Sequence, residues 1–428
     1  MKNRILKKIE ETTSRLREEM TGTLQELVRI PSVIGNEGKA QDFMRRQYEE
    51  FGLEVFQFTA NRVKVRRHPA YCDTTLPYEG RPNVIGIWKG NSRKRSIILN
   101  GHVDTVSPEP ATQWTHAPFG GEVEDGRLYG RGALDMKAGL VANLFALKVL
   151  RQAGIDPGGT VMLQSVIEEE DGGGGGALAC FLEGYTADGM IVTEPVPWVN
   201  IALAGIMRFL VRVKGKSAHP SQSHLGVSAI AKMIPIFEAL EQLDARRKAE
   251  VHFPLLQDFQ SGGPSCHLII GTFHAGDHIA TLPGAAEIGC RIGFIPGETR
   301  EGIRCLVERT ICDAADQDPW LKDHPPEIEW LFFQVDPYYQ DPDHPFVRTV
   351  ISAARKVAGP EMEVKPRGGA WSEDTRLAGL FGFPALSMGP TGEHAHGVDE
   401  YVDLDSLERT TKALALAIAD WCSQDKDR

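Results

Sequence analysis

Apolar positions recur along the chain with the spacings of helices and of buried strands. Residues 4–29 and 140–150 carry apolar side chains at helical spacing, which predicts two helices. Short β-rich runs predict strands at 84–87, 97–99, 161–163 and 190–192. Strands that alternate with helices predict an α/β domain with a mixed, largely parallel sheet and helices on both faces.

The pattern changes near residue 205. Alternating and helical apolar spacings then follow one another in the order β-α-β-β-α-β, which predicts a small α+β, ferredoxin-like unit. The α/β pattern resumes after Pro337, with a helix near 346–357, a strand near 384–388 and a final helix from Leu404 onward. The sequence therefore predicts a larger domain formed by residues 1–204 and 337–428, with a smaller domain inserted at 205–336.

The composition is that of an ordinary globular protein, with 42% hydrophobic and 25% charged residues among 428. The net charge is −11 and there is no basic stripe, so we expect no nucleic-acid partner. The charged start of the chain and the lack of a long apolar stretch predict a cytoplasmic protein without a membrane partner. Seven scattered cysteines without a C-x-x-C pair predict reduced, mostly buried thiols.

Histidines and carboxylates gather where predicted strands end or a helix begins. Ligands of open α/β sheets bind at the carboxyl ends of the strands, so these side chains could converge on one crevice. The acidic run 168–170 ends an apolar strand, where crowded like charges need a cation to neutralise them. Imidazole and carboxylate ligands without thiolate suit zinc, cobalt or manganese. The sequence therefore predicts a divalent metal site.

Five segments together carry a family resemblance. They are GHVDTV (101–106), GRGALDMKAG (130–139), EEEDGGGGGA (168–177), TEP (193–195) and AHGVDEY (395–401). In this order the chain resembles the M20-type co-catalytic metallo-aminoacylase and exopeptidase family, which includes acetylornithine deacetylase, succinyl-diaminopimelate desuccinylase, aminoacylase and glutamate carboxypeptidase. The resemblance covers nearly the whole chain. It implies a zinc-exopeptidase-like catalytic domain and an inserted dimerisation or lid domain.

The resemblance also implies two divalent metal ions, with zinc as the first choice and cobalt or manganese as alternatives. Five residues match the family's metal ligands: His102, Asp135, Glu170, Glu194 and His396. Asp135 would bridge the two ions, His102 and Glu194 would complete one site, and Glu170 and His396 the other. We prefer His396 over His394 because the segment 396–400 fits the family pattern His-x-x-Asp/Asn-Glu.

Further residues match the family's catalytic apparatus. By resemblance, Glu169 is the general base, and Asp104 is the carboxylate that orients the imidazole of His102. The resemblance implies a cis peptide bond between Asp135 and Met136. The glycines at 172–176 are not followed by the Lys-Ser or Lys-Thr of a phosphate-binding loop, so we expect them to permit a close backbone approach instead.

The inserted domain carries two more matches and one departure. Segment 215–220 (GKSAHP) resembles a family element whose histidine, here His219, reaches into the active site of the partner subunit and stabilises the oxyanion, which implies a homodimer. Arg291 matches an arginine that pairs with a substrate carboxylate. Ala280 stands where the family often has a substrate-binding asparagine, so Thr281 or His278 replaces it or the substrate differs.

The leading hypothesis is a dinuclear metal-dependent amidohydrolase that removes an acyl group from a small N-acyl amino acid or amine. A biosynthetic deacylase is favoured over a metallo-dipeptidase or carboxypeptidase, by analogy of fold. A formyl group on an aminopyrimidine is a further alternative. A catalytically silent metal-binding protein on the same scaffold is an alternative from another class. A protein that only dimerises would not explain the ligand-bearing strand ends.

Overall fold

Two main β-sheets organise the chain in the computed structural model. The structure describes residues 2–196, 199–257, 263–359 and 363–426. The chain divides into two units, the first made of Met1–Ile201, Gln340–Arg367 and Glu373–Arg428, and the second of Ala202–Tyr339 and Gly368–Ser372.

The helices and strands alternate along most of the chain. The helices are α1 (Lys2–Val28), α2 (Gly38–Phe51), α3 (Arg62–Val65), α4 (Ala138–Gln152), α5 (Ala177–Leu182), α6 (Ala229–Glu250), α7 (Arg300–Ala315), α8 (Pro319–Asp323), α9 (Pro345–Ala358), α10 (Thr375–Leu380) and α11 (Leu404–Cys422). The strands are β1 (Glu54–Thr59), β2 (Pro82–Trp88), β3 (Ile97–His102), β4 (Glu122–Glu124), β5 (Arg127–Tyr129), β6 (Val161–Val166), β7 (Met190–Val192), β8 (Val199–Leu203), β9 (Gly205–Lys214), β10 (Leu268–Ala275), β11 (Ala285–Phe294), β12 (Glu327–Val335), β13 (Tyr338–Tyr339), β14 (Pro366–Gly369), β15 (Ala385–Ser387), β16 (Gly392–Glu393) and β17 (Tyr401–Asp403).

The sheet of the first unit is mixed, which confirms the predicted α/β class. Its four central strands run parallel in the order β6-β3-β7-β15. Outside them, β2 and then β1 pair antiparallel on one side, and β8 pairs antiparallel with β15 on the other. Every residue of β3, β6 and β7 is buried, as is typical of parallel strands that are covered on both faces.

Helix α4 is the central helix of the first unit. Its sequence, rich in alanine and leucine, favours a helix, and its buried residues lie on all of its faces. It contacts α1 and α11 as well as β3 and β6. Because α4 begins directly after the turn Ala133–Lys137, this buried helix fixes the position of the turn.

The second unit has the predicted ferredoxin-like order of elements, β9-α6-β10-β11-α7-β12. Its antiparallel sheet has the strand order β10-β11-β9-β12. Ser228 caps the start of helix α6, where its side chain accepts a hydrogen bond from the main-chain N–H of Ala231. Thr299 caps α7 in the same way. The apolar faces of both helices pack on the sheet around Phe209, which is fully buried.

Some elements were not predicted from the sequence. The structure adds α2 and β1, and it adds a small antiparallel sheet with the order β16-β17-β5-β4. The strands of this small sheet have two or three residues each, too few for a period in the apolar pattern to appear. Across the described ranges of the chain, none of the helices combines the length and the hydropathy that crossing a membrane requires.

Candidate metal centre

The carboxyl ends of three neighbouring parallel strands carry the predicted site residues of the first unit. His102 ends β3, Glu169 and Glu170 follow β6, and Glu194 follows β7. Since these strands are adjacent and parallel, their carboxyl ends meet at one edge of the sheet. Two further segments, the turn Ala133–Lys137 and the loop between β16 and β17, bring Asp135 and His396 to the same group.

Asp135 lies between the two imidazoles. Its Oδ1 atom is 3.2 Å from Nε2 of His102, and its Oδ2 atom is 3.2 Å from Nε2 of His396. The same nitrogen of His396 is 3.0 Å from Oε1 of Glu170. The two carboxylate oxygens of Asp135 thus face different histidines. This arrangement is expected of a residue that two neighbouring metal sites share.

Two more carboxylates complete the group. Oε2 of Glu169 and Oε1 of Glu194 are each 3.9 Å from Nε2 of His102. Two overlapping sets of ligand atoms, each within 4.8 Å, could hold a metal ion. They are His102, Asp135 and Glu170, and His102, Glu169 and Glu194. These sets differ from the division that the resemblance implies, because they place Glu169 beside Glu194 and omit His396.

The electrostatics of this group call for a cation. Burial raises the pKa of Glu169, Glu170 and Glu194, so it disfavours their ionised forms, and a nearby positive charge would offset this cost. Hydrogen bonds to Asp135 and Glu170 raise the pKa of His396 to about 10. Burial opposes the ionisation of Asp135, but hydrogen bonds from both histidines hold its pKa below the usual range.

One unpaired atom of the group fits the same interpretation. Oε1 of Glu194 is buried and has no hydrogen-bond partner among the described residues. A buried carboxylate oxygen without a partner is costly unless a cation is bound. The donors are imidazole nitrogens and carboxylate oxygens without thiolate, a set that suits zinc, cobalt or manganese. The residues present therefore fit divalent metal ions.

The imidazole of His102 is oriented mainly by a main-chain group. Its Nδ1 atom is 2.9 Å from the carbonyl oxygen of Asp104 and 3.5 Å from Oδ1 of the same residue. The other carboxylate oxygen of Asp104 accepts a hydrogen bond from the N–H of Glu170 at 3.2 Å. Asp104 thus links the loop after β3 to the loop after β6, whereas the resemblance implied only an orienting carboxylate.

Two features expected around the site are present. The peptide bond between Asp135 and Met136 is cis. The glycine run packs tightly: a Cβ atom on Gly175 would lie 2.3 Å from the ring of Tyr78, and one on Gly176 would lie 2.1 Å from the carbonyl oxygen of Ile167. The glycines therefore permit the close backbone approach that the sequence predicted.

Glu168, the first residue of the acidic run, has a different role from its neighbours. It is fully buried, in the left-handed region with φ at 65°. Its Oε1 atom accepts hydrogen bonds from the Tyr78 hydroxyl at 3.0 Å and from the N–H of Gly175 at 3.2 Å. Burial raises its pKa to about 7. Glu168 thus holds the glycine turn, while Glu169 and Glu170 approach the histidines.

His394 lies outside the metal group. It is exposed, and its Nδ1 atom is 3.3 Å from the carbonyl oxygen of Asp399. Sequence reasoning assigned no role to Glu168, Arg131 or Glu400, which the structure places directly behind the group. For Arg131, the available signal was a charged residue between two glycines, Gly130 and Gly132.

The remaining predicted residues belong to the second unit. His219 is exposed, with Nδ1 2.8 Å from the hydroxyl of Ser221. Arg291 donates a hydrogen bond to the carbonyl oxygen of Ala370 at 3.2 Å, and burial, with Arg208 nearby, lowers its pKa. The main-chain N–H of Ala280 donates to Nδ1 of His278. The catalytic and substrate-binding roles of His219 and Arg291 stay predictions.

Comparisons with known proteins decide the family. The profile of peptidase family M20/M25/M40 matches residues 98–420. The chain belongs to this family. It is 30% identical over 377 residues to the N-formyl-4-amino-5-aminomethyl-2-methylpyrimidine deformylase of Bacillus subtilis, covering 82% of this chain and 85% of that protein. As an M20 family member, the chain is a hydrolase that acts on amide bonds.

Other similarities lie within the same family. The chain is 26% identical over 407 residues to the succinyl-diaminopimelate desuccinylase of Thioalkalivibrio sulfidiphilus, covering 90% of this chain and 95% of that protein. A tripeptidase from Staphylococcus aureus has a TM-score of 0.74 at 22% identity, covering 95% of this chain and 99% of that one. This structural likeness shows a shared fold.

Two helical glycines allow a matched test of the packing behind the metal group. A Cβ atom on Gly139 of α4 would lie 2.2 Å from the carbonyl oxygen of Thr193, next to Glu194, whereas one on Gly22 of α1 would meet nothing within 4 Å. We expect Gly139→Ala to lower the free energy of unfolding by about 1–3 kcal/mol through overpacking. Gly22→Ala should raise it by about 0.5–1 kcal/mol. Denaturant unfolding of both variants measures this, and equal stability would contradict the tight contact.

Proposed function

We propose that the chain hydrolyses the formamide of an N-formylated aminopyrimidine and releases formate and a free amine. The observation that carries this proposal is the 30% identity, over most of both chains, to the Bacillus subtilis deformylase. A second protein of that name, from Halalkalibacterium halodurans, is 28% identical and covers 95% of this chain. The departure at Ala280 supports a substrate other than acetylornithine or succinyl-diaminopimelate.

Two divalent metal ions are part of this proposal. The residues that would hold them are His102, Asp135, Glu170, Glu194 and His396, with Asp135 between the two ions. When bound, the ions would supply Lewis-acid activation of the amide carbonyl and of a water molecule. Zinc is our first choice of metal, and cobalt and manganese suit the same ligands.

Glu169 would act as the general base. Its carboxylate lies 3.9 Å from Nε2 of His102 and is largely buried, so it is close to the ligands and shielded from bulk water. It would take a proton as the oxygen of water bonds to the formyl carbon. It would then deliver that proton to the nitrogen as the carbon–nitrogen bond breaks. Asp104 would hold the imidazole of His102 and the main chain of Glu170 in fixed positions relative to each other.

The second unit would contribute to substrate binding and to assembly. In a homodimer formed through this unit, His219 would stabilise the negative charge that develops on the carbonyl oxygen in the partner subunit. The exposed position of His219 supports this role, because its ring is accessible to another chain. The homodimer and the cytoplasmic location stay predictions.

The second candidate function is the removal of an acyl group from an N-acyl amino acid. The position of Arg291 favours it, because a half-buried guanidinium whose charge no described carboxylate balances suits a substrate carboxylate. The N-formyl aminopyrimidine named above has no carboxylate. Arg291 therefore separates the two candidates. A metallo-dipeptidase or carboxypeptidase is a variant of the second candidate.

Metal restoration on a substrate panel tests the proposal. The panel contains N-formyl-4-amino-5-aminomethyl-2-methylpyrimidine, N-acetyl and N-succinyl amino acids, and dipeptides. Metal-stripped protein should be inactive, and added zinc, cobalt or manganese should restore formate release from the pyrimidine. Restored turnover of an N-acetyl amino acid, an N-succinyl amino acid or a dipeptide, without formate release from the pyrimidine, would favour the second candidate. Activity that persists without metal would overturn both.

Glu169→Gln tests the general base. Because the amide cannot accept the proton of water, we expect the metal-restored kcat to fall about 10²- to 10⁴-fold. Elemental analysis should find the same metal content as in the unchanged protein. Glu10→Gln, at an exposed position of α1, is the control and should retain full activity. Full turnover by the Glu169 variant would remove this residue from the mechanism.

Arg291→Gln separates the candidate substrates. If the substrate has no carboxylate, kcat/KM for the N-formyl pyrimidine should change by less than about threefold. If the substrate is an N-acyl amino acid, the loss of a charged hydrogen bond should lower kcat/KM about 10- to 100-fold. Arg212→Gln is the matched control, because this arginine also lies on a strand of the second unit and pairs with Glu287 and Glu329.

A further inference from the structure

A buried ion pair lies directly behind the metal group. Arg131 and Glu400 are joined by Nη1 and Oε2 at 2.5 Å, and their side chains are 2% and 1% exposed. Arg131 lies four residues before Asp135. Glu400 lies four residues after His396, at the end of the loop that leads into β17. The pair therefore connects the two segments that carry Asp135 and His396.

The Glu400 carboxylate fixes the main chain of the Asp135 turn. Its Oε1 atom accepts hydrogen bonds from the N–H groups of Leu134 at 2.9 Å and Asp135 at 3.0 Å. Its Oε2 atom accepts from the N–H of Gly132 at 3.1 Å and from the guanidinium of Arg131. Four donors thus converge on one carboxylate.

The Arg131 guanidinium fixes the main chain of the His396 loop. Its Nη2 atom donates hydrogen bonds to the carbonyl oxygens of His396 and Gly397, each at 3.0 Å. His396 has a φ of 62°, a conformation that a residue with a Cβ atom rarely adopts unless its surroundings impose it. The guanidinium also lies over the ring of Trp114, with its carbon 5.2 Å from the ring centre.

We infer that Arg131 and Glu400 are positioning residues that set the separation of Asp135 and His396, and thereby the affinity of the centre for its metal ions. The inference rests on the proposed function in one respect, since it assumes that the group binds metal. Neither residue touches the ligand atoms themselves. They act through the hydrogen bonds that hold the two main-chain segments in place.

Glu400→Gln replaces one of the two acceptor oxygens that bind these four donors. Glutamine has one acceptor oxygen and one NH₂ donor, so two of the four donors would face another donor. We expect the affinity for zinc to fall about 10- to 100-fold, as is typical when groups that orient metal ligands are lost. Arg131→Lys is a second variant, because an ammonium group cannot span both Glu400 and the two carbonyl oxygens.

The matched control is Glu298→Gln. Glu298 forms a second bidentate arginine–glutamate pair, with its two oxygens each 2.9 Å from Arg247 in the second unit. Arg247 is buried and Glu298 is partly buried, with 27% of its side chain exposed, and this substitution breaks the pair without involving the Asp135 turn or the His396 loop. Any effect on metal affinity through general loss of stability should appear in this variant too.

The experiment titrates each metal-stripped protein with zinc in competition with a chromophoric chelator, and records the visible spectrum of the cobalt-loaded form. Weaker binding and a changed cobalt spectrum in Glu400→Gln, with Glu298→Gln unchanged, is the expected result. Equal affinity in all proteins, or an equal loss in both glutamine variants, would overturn the inference. If Glu400→Gln does not fold, Arg131→Lys decides by the same criteria. Failure of the unchanged protein to bind metal would instead contradict the proposed function.

Discussion

The constraint on which the first unit depends is the burial of several carboxylates at one edge of its sheet. Asp135, Glu169, Glu170 and Glu194 lie around two imidazoles, and burial raises the pKa of the three glutamates. A protein cannot keep this much negative charge out of water without positive charge close by. Divalent cations satisfy this requirement, and the arrangement of the surrounding loops follows from it.

The loops are built to hold these side chains against their mutual repulsion. Glu168 and His396 adopt left-handed conformations, and the glycine run accepts contacts that no side chain could. Such local costs are tolerated where surrounding hydrogen bonds determine the conformation. Glu168 is held by Tyr78 and Gly175, and His396 by Arg131. Both conformations are thus held by hydrogen bonds from residues that supply no ligand atom.

The sequence predicted much of this because long elements and motifs carry strong signals. Helices such as α4 and α11 and buried strands such as β3 have enough residues to show a period. His102, Glu169, Glu170 and Glu194 lie at or just after strand ends, as predicted, whereas Asp135 lies in a turn and His396 in a loop. The supporting residues could not be predicted. Glu168 has the same residue type as its neighbours Glu169 and Glu170, so the sequence does not distinguish its role. The partners of Arg131 and Glu400 are distant in sequence, so only the fold reveals that one carboxylate accepts four donors.

The residues of the proposed reaction are divided between the two units. The metal group and its supporting residues belong to the first unit, whereas Arg291, His219 and Ala280 belong to the second. Ala280 supplies no ligand atom and none of the described hydrogen bonds of the metal group. Under the proposed function, the same metal group would serve a formamide or an N-acyl amino acid, depending on the side chains that the second unit offers. Such a division of roles would account for the similarity of this chain to both a deformylase and a desuccinylase.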